Sequence, residues 1–218
     1  KALQAGTSHD LGQNFAKAFD VKFQTKDNRE ELVWATSWGV STRLVGAIIL
    51  THGDDKGLRL PPKVAPIQVV VIPIFKSQEQ EKIIKTYIQD IIKNLKEQKI
   101  RVKEDWTDNT PGFKFNKWEM KGVPLRIEVG IRDVENHNIV IARRDTGEKE
   151  FLSKKDVVGN ISNLLHDIQK NLFSQANKFM NENTHHINNF DEFKKIIKTG
   201  GFVRCGWDGD PKTETKIK

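Results

Sequence analysis

One cysteine, Cys205, stands in a chain of 218 residues. A lone thiol closes no internal disulfide, so the core alone must hold the fold and a reducing, cytoplasmic setting is expected. Long apolar runs are missing too. The longest, residues 44–50 and 67–75, fall short of the roughly 18 apolar residues of a membrane-crossing helix. There is no Walker loop, no Gly-x-Gly-x-x-Gly fingerprint and no Gly-x-Ser-x-Gly elbow, which removes the commonest phosphate loops and the serine-hydrolase signature. The adjacent His185 and His186 project apart on a helix or a strand, so they make a poor metal site. The opening "KALQAGTSHD" has neither an initiator Met nor a signal-peptide profile and reads as the middle of a longer protein.

Acidic residues are in deficit, 29 against 36 basic, for a net charge of +7. A basic surface favours polyanions, nucleic acid first, although a Lys-rich composition produces the same charge without any partner. Hydrophobic residues make up 37%, with five Trp and twelve Phe, so the chain is foldable and has room for one large domain or two small ones.

Residues 1–60 are rich in Gly, Thr, Ser and His. "LGQNFAKAFDVKFQ" begins with helix spacing, Leu11, Phe15 and Phe19 on one face, then alternates as a strand does. "ELVWATSWGVS" reads as one strand. Ser41 or Thr42 is placed to cap a helix over residues 43–50. Gly46 within that helix costs about 1 kcal/mol against Ala, which predicts a close packing contact there. "LRLPPKVAP" holds three prolines in six residues and reads as a linker, with a domain boundary near Pro61.

Beyond it, "IQVVVIPIF" has the continuous apolar character of a buried parallel strand. In the following segment Ile83, Ile84, Tyr87, Ile88, Ile91, Ile92 and Leu95 repeat at three and four residues, an amphipathic helix. "IRVKED" is the next strand, so a right-handed parallel crossover is expected. "VPLRIEVGIRD" and "NIVIARRDTGEKEFLS" add strands, the latter turning at its Gly, and "VVGNISNLLHDIQKNLFSQANKFMNEN" is a second long helix. The stretch from Phe190 onward starts a further small unit.

Two places draw functional attention. "QAGTSHDLGQNF" and "TSWGVSTR" gather neutral hydrogen-bonding side chains and glycines around one fixed cation. Arg43 in the first turn of a helix is awkward, because that end already carries positive potential. It makes sense if a nucleotide phosphate arrives there, or if an Asp pairs with it. "PGFKFNKWEMKGVPLRIEVGIRD" interleaves aromatic, basic and acidic residues. Arg126 and Glu128, two apart on a strand, face the same way. Such a face either reads unstacked bases, with aromatics stacking and Arg and Glu bonding base edges, or is a salt-bridged sheet surface.

These segments carry a resemblance. "KALQAGTSHDLGQNF", "TSWGVSTRLVGAIILTHGDDKGLRLPPKVAPIQVVVIP" and "PGFKFNKWEMKGVPLRIEVGIRD" followed by "IARRDTGEK" resemble, in colinear order over nearly the whole chain, the prolyl-tRNA synthetases of eukaryote/archaeal-like type, which are class II aminoacyl-tRNA synthetases. The resemblance implies an α/β chain. Residues 1–60 would be the C-terminal piece of the antiparallel-sheet catalytic domain, containing its third signature motif. Residues 61–65 would be a linker, 66–165 a mixed-sheet α/β anticodon-binding domain, and 166–218 the start of a small α/β C-terminal domain.

It further implies ATP-dependent charging of tRNA-Pro through prolyl-adenylate, with Mg²⁺ on the phosphates, L-proline as co-substrate, no membrane and a homodimeric full-length parent. By the same likeness Gln4, Thr7, Thr42 and Arg43 would bind ATP, Arg43 being the catalytic contributor. His9, Ser37, Trp38 and Gly39 would line the proline pocket. Glu119, Arg126 and Arg132 would read two anticodon guanines. Signature motifs one and two lie outside these residues, so a 218-residue piece alone is not expected to make prolyl-adenylate. No zinc is expected, because Asp208 and Thr213 stand where relatives of this type carry cysteines. A free-standing tRNA-binding module would explain residues 66–218 but not the retention of "QAGTSH" and "TSWGVSTR". An unrelated phosphate-binding α/β enzyme would lack its Gly-rich loop.

Overall fold

The computed structural model describes residues 3–217. The chain divides into two compact units, one within residues 3–51 and one within 52–217.

The first unit contains β1 (Thr7–Gly12), α1 (Asn14–Phe19), β2 (Lys22–Gln24), β3 (Glu30–Leu32), β4 (Ala35–Gly39) and most of α2 (Arg43–His52). Strands β1 and β4 pair antiparallel, as do β2 and β3. Three expectations change here. Leu11 belongs to β1 rather than to a helix, because Gly12 takes a positive φ of 53° and turns the chain before α1 starts at Asn14. Phe15 and Phe19 do share a face, stacked at 6.2 Å. "ELVWATSWGVS" is two strands, since β3 and β4 pair with different partners. Gly46 has no close contact, for a Cβ there would meet nothing within 4 Å. Among the described residues of this unit only Ala16 is buried.

The second unit is built on β5 (Val69–Ile74), α3 (Gln78–Glu97), β6 (Val102–Glu104), α4 (Pro111–Met120), β7 (Leu125–Gly130), α5 (Ile131–Glu135), β8 (Asn138–Arg143), β9 (Lys149–Ser153) and α6 (Val157–Glu182). The five strands form one mixed sheet in the order β6-β5-β7-β8-β9, the first three parallel and the last two antiparallel. Val69, Val70, Val71 and Ile72 of β5 are all buried because helices cover both faces. On one face Val69 and Val71 pack with Ile84, Ile88 and Leu95 of α3 and with Ile161, Leu165, Ile168 and Leu172 of α6. On the other, Val70 and Ile72 meet Trp118 of α4 and Val123. Helix α3 starts at Ser77, whose hydroxyl accepts from the Gln80 N–H. Helix α6 runs through residue 166 without a break, and Ile168 and Leu172 belong to the same core as Leu165.

A smaller group closes the chain, with β10 (Thr184–His186) parallel to β11 (Phe202–Arg204), joined by α7 (Phe190–Thr199) and followed by α8 (Pro211–Ile217). The Thr213 hydroxyl donates to the Asp208 carboxylate at 2.6 Å.

Candidate nucleic-acid interface

Helix α4 is missing from the periodicity reading, yet it shapes the interface. Thr110 caps it, accepting from the Phe113 N–H, and Pro111 occupies the first turn, where its missing N–H costs nothing. Its far end is fixed to the sheet by Asp105. That carboxylate is almost fully buried and accepts from the Trp118 indole at 2.6 Å, from the Thr107 N–H at 3.2 Å and from Lys117 Nζ at 3.2 Å. Burial works against its charge, but the hydrogen bonds from Thr107, Trp118 and Lys117 outweigh it and hold the carboxyl below the usual range.

Glu119, the next residue on α4, lies beside Arg126 of β7. Both line a pocket of ≈ 210 Å³ together with Lys56, Trp118, Arg143 and Arg144. The pocket is smaller than those that enclose drug-sized ligands, and its cations are paired: Arg126 with Glu128, Arg143 with Asp145 and Arg144 with Asp54. Glu119 has one charged neighbour, Lys56 Nζ at 3.8 Å. Arg126 uses Nε to donate to Glu128 at 2.9 Å and lies 4.3 Å over the Phe115 ring, leaving both Nη groups for a ligand. Lys149 also donates to Glu128, at 2.9 Å, and shares the Phe115 ring. The same-face expectation for Arg126 and Glu128 therefore holds, and the face they share is salt-bridged. Glu128 is consumed by its bonds to Arg126 and Lys149, whereas Glu119 has the looser Lys56 pair and, among the described residues, nothing bonds the Arg126 Nη groups. Arg132 stands apart, exposed in the first turn of α5 beyond the other end of β7, on the order of 15–20 Å along the chain path from Arg126.

A strap from Asp54 to Leu60 borders the same pocket. The Leu58 and Leu60 N–H groups donate to the carbonyls of Met120 and Gly122, and Gly57 passes so close to Met120 that a Cβ would sit 2.6 Å from its Cα. Arg144 grips Asp54 with two bonds of 2.8 and 2.6 Å and donates Nε to the Glu119 carbonyl at 3.1 Å. Neither the strap nor Lys149 was singled out from sequence. Gly57 is the one visible cue to the strap, and the turn at Gly147 is the cue to the strand that brings in Lys149.

In the first unit Thr7 lies opposite Gly39 and His9 opposite Ser37 on the β1–β4 pair. Successive strand residues alternate faces, so Trp38 points away from Ser37 and Gly39, to the side of Ser8. Arg43 Nη1 donates to Gln4 Oε1 at 2.9 Å, and Ser41 Oγ accepts from the Arg43 N–H at 3.3 Å. Among the described residues no carboxylate pairs with Arg43. Thr42 caps nothing through its hydroxyl; its carbonyl accepts from the Val45 N–H.

The sequence profile of the anticodon binding domain matches residues 68–164, the stretch from β5 into α6. The whole chain is 53% identical to the proline–tRNA ligase of Christiangramia forsetii over 220 residues, 54% to that of Flavobacterium psychrophilum, and 52% over 219 residues to that of Bacteroides fragilis. The chain belongs to the proline–tRNA ligase family. It spans about 45% of the length of these relatives. The pocket between α4 and the sheet is thus a feature of the anticodon-binding domain of a proline–tRNA ligase family member. No helix of the described residues is long and apolar enough to cross a membrane.

Proposed function

We propose that the second unit reads the anticodon of tRNA-Pro and that the protein to which it belongs is a cytoplasmic, homodimeric proline–tRNA ligase. The observation that carries the reading is the small pocket lined by both Glu119, whose carboxylate has Lys56 Nζ 3.8 Å away, and Arg126, whose Nη groups no described residue bonds. Guanine offers N1–H and N2–H donors with the O6 acceptor on its Watson–Crick edge, and O6 with N7 on its Hoogsteen edge, so a carboxylate and an arginine together suit it. Arg132, beyond the far end of β7, would meet a second anticodon base or the adjoining phosphate.

Residues 1–60 belong in this proposal as the third-motif part of a class II catalytic domain, 61–65 as linker, 66–165 as the anticodon domain and 166–218 as the beginning of a C-terminal domain. ATP would be held by Gln4, Thr7, Thr42 and Arg43, with the Arg43–Gln4 bond preorganising the cation for a phosphate. His9, Ser37 and Gly39 would line the proline pocket from one face of the β1–β4 pair, with Trp38, whose side chain points to the other face, contributing its main chain. Mg²⁺ would neutralise the ATP phosphates; among the described residues no cluster of three His, Cys, Asp or Glu side chains is placed to hold a metal ion itself. Catalysis is then mostly positioning and charge neutralisation, completed by residues of the longer protein.

The test is binding of tRNA-Pro against the same tRNA with both anticodon guanines replaced, at two salt concentrations. Phosphate contacts bind any RNA and weaken with salt, whereas base contacts discriminate. A preference of tenfold or more, on the order of one good base contact, that Glu119→Ala or Arg126→Ala abolishes is expected. Equal, salt-sensitive binding to both RNAs overturns the reading.

A further inference from the structure

The profile of the anticodon binding domain begins at residue 68, but one wall of the pocket comes from before it. The strap 54–60 is bound to the domain by features that exceed what a surface loop needs. Asp54 and Arg144 form a two-pronged ion pair across 90 residues of sequence, and the Arg144 side chain is only 6% exposed. A planar guanidinium fixed at both Nη groups has no freedom left. Its remaining Nε–H is spent on the main-chain carbonyl of Glu119. The backbone of Glu119 is therefore located from two sides: by Asp105 through the neighbouring Trp118, and by Asp54 through Arg144. The Leu58 N–H reaches the next carbonyl, Met120. Asp54 itself is held in a tight loop, accepting from the Lys56 N–H at 2.9 Å and exchanging main-chain bonds with Gly57.

We propose that Asp54 and Arg144 are positioning residues for base recognition, and that the specificity of the anticodon pocket resides in the joint between strap and domain rather than in the domain alone. Neither side chain reads the base. Arg144 sets where the Glu119 carboxylate stands relative to the free Nη groups of Arg126, and Asp54 sets Arg144. A reading edge built from two side chains on different elements discriminates only while their separation is fixed; a shift of about 1 Å in a recognition geometry is enough to cost an order of magnitude or more. The inference rests on the reading of Glu119 as a base contact.

The experiment compares, in the full chain, the ratio of affinities for tRNA-Pro and for the guanine-replaced tRNA in the parent, Asp54→Asn, Arg144→Lys and Glu119→Gln. Asp54 lies on a partly exposed loop, so its amide variant keeps the fold even if Arg144→Lys does not. The expected result is a loss of about tenfold in the ratio for Asp54→Asn and Arg144→Lys, with unchanged weak binding to the replaced RNA and unchanged salt dependence, and partial recovery in Asp54→Glu. A merely structural pair would lower the unfolding midpoint and leave the ratio alone. A ratio within twofold of the parent for Asp54→Asn, while Glu119→Gln collapses it, overturns the inference and spares the anticodon reading. A ratio that survives Glu119→Gln removes the anticodon reading and the inference with it.

Discussion

The indole N–H of Trp118 donates to the buried carboxylate of Asp105 at 2.6 Å, and this bond joins the end of β6 to the last turn of α4. Asp105→Ala leaves four donors without their acceptor: the indole, Lys117, and the amide and hydroxyl of Thr107. Leaving buried partners of a charged group unmet costs about 3 kcal/mol or more. The urea midpoint should fall accordingly with an unchanged slope, and Trp118 fluorescence should shift to the red as water reaches the ring. A loss below about 1 kcal/mol would show that α4 is held mainly by its apolar contacts with Val70 and Ile72.

How much of this was readable in advance varies by element, for physical reasons. The β5–α3–β6 crossover was legible because its apolar residues repeat with the period of the element they build. Helix α4 was not, because its packed face is narrow, Phe115 and Trp118, and Lys114 lies buried between them. Its only local cue is Thr110 followed by Pro111. Arg126 and Glu128 on one face followed from the period of a strand, but a period cannot say which carboxylate is already paired. The partner that consumes Glu128, Lys149, enters through a hairpin, and the partner that fixes Arg144 is 90 residues away. In residues 3–51 the apolar pattern misled at Leu11 because a positive-φ glycine, not hydrophobic spacing, ends β1. Two-stranded pairs with almost nothing buried contain little of the burial signal on which pattern reading depends.

Asp54 makes stability depend on acid. The two bonds from Arg144 come first among the causes that lower its carboxyl from 3.8 to about 2. The folded protein therefore binds fewer protons than the unfolded chain between those values, and the stabilisation is complete above pH 5 and drains away as pH falls through 4 toward 2. Because the carboxylate is about one-third exposed, screening reduces the contribution to about 1–2 kcal/mol. Thermal midpoints of the parent should drop more steeply than those of Asp54→Asn over this window, and the two curves should converge near pH 2. Parallel curves would mean that the ion pair adds nothing to folding.

Gly57 tests the strap by steric means alone. Its φ is +123°, and an added Cβ would sit 2.6 Å from the Met120 Cα and 2.7 Å from its carbonyl oxygen. Backbone cannot yield as a side-chain tip can, so Gly57→Ala must either strain the fold by about 2 kcal/mol or more or lift the strap off α4. Amide exchange separates the outcomes, since the Leu58 and Leu60 N–H groups lose protection only if the strap lifts. Unchanged protection and unchanged stability would show that the approach is looser than described.

Arg43 offers the sharpest test of the first unit. It stands at the N-terminus of α2, where the helix already presents positive potential, and its side-chain partner among the described residues is the neutral Gln4 at 2.9 Å. A cation in that place adds nothing to folding, so its removal should leave stability unchanged or slightly improved. If the site receives an ATP phosphate, Arg43→Ala in the full-length enzyme should slow proline-dependent ATP–pyrophosphate exchange by about a hundredfold, the usual cost of losing one preorganised transition-state contact. Affinity for tRNA should change by less than twofold, because Glu119 and Arg126, the pair proposed to read the anticodon, belong to the other unit. Gln4→Ala should give a smaller loss in the same direction, since it frees the guanidinium without discharging it. Equal damage to exchange and to tRNA affinity would instead assign Arg43 to RNA binding, and a stability loss with normal exchange would make the Gln4 bond a purely local brace.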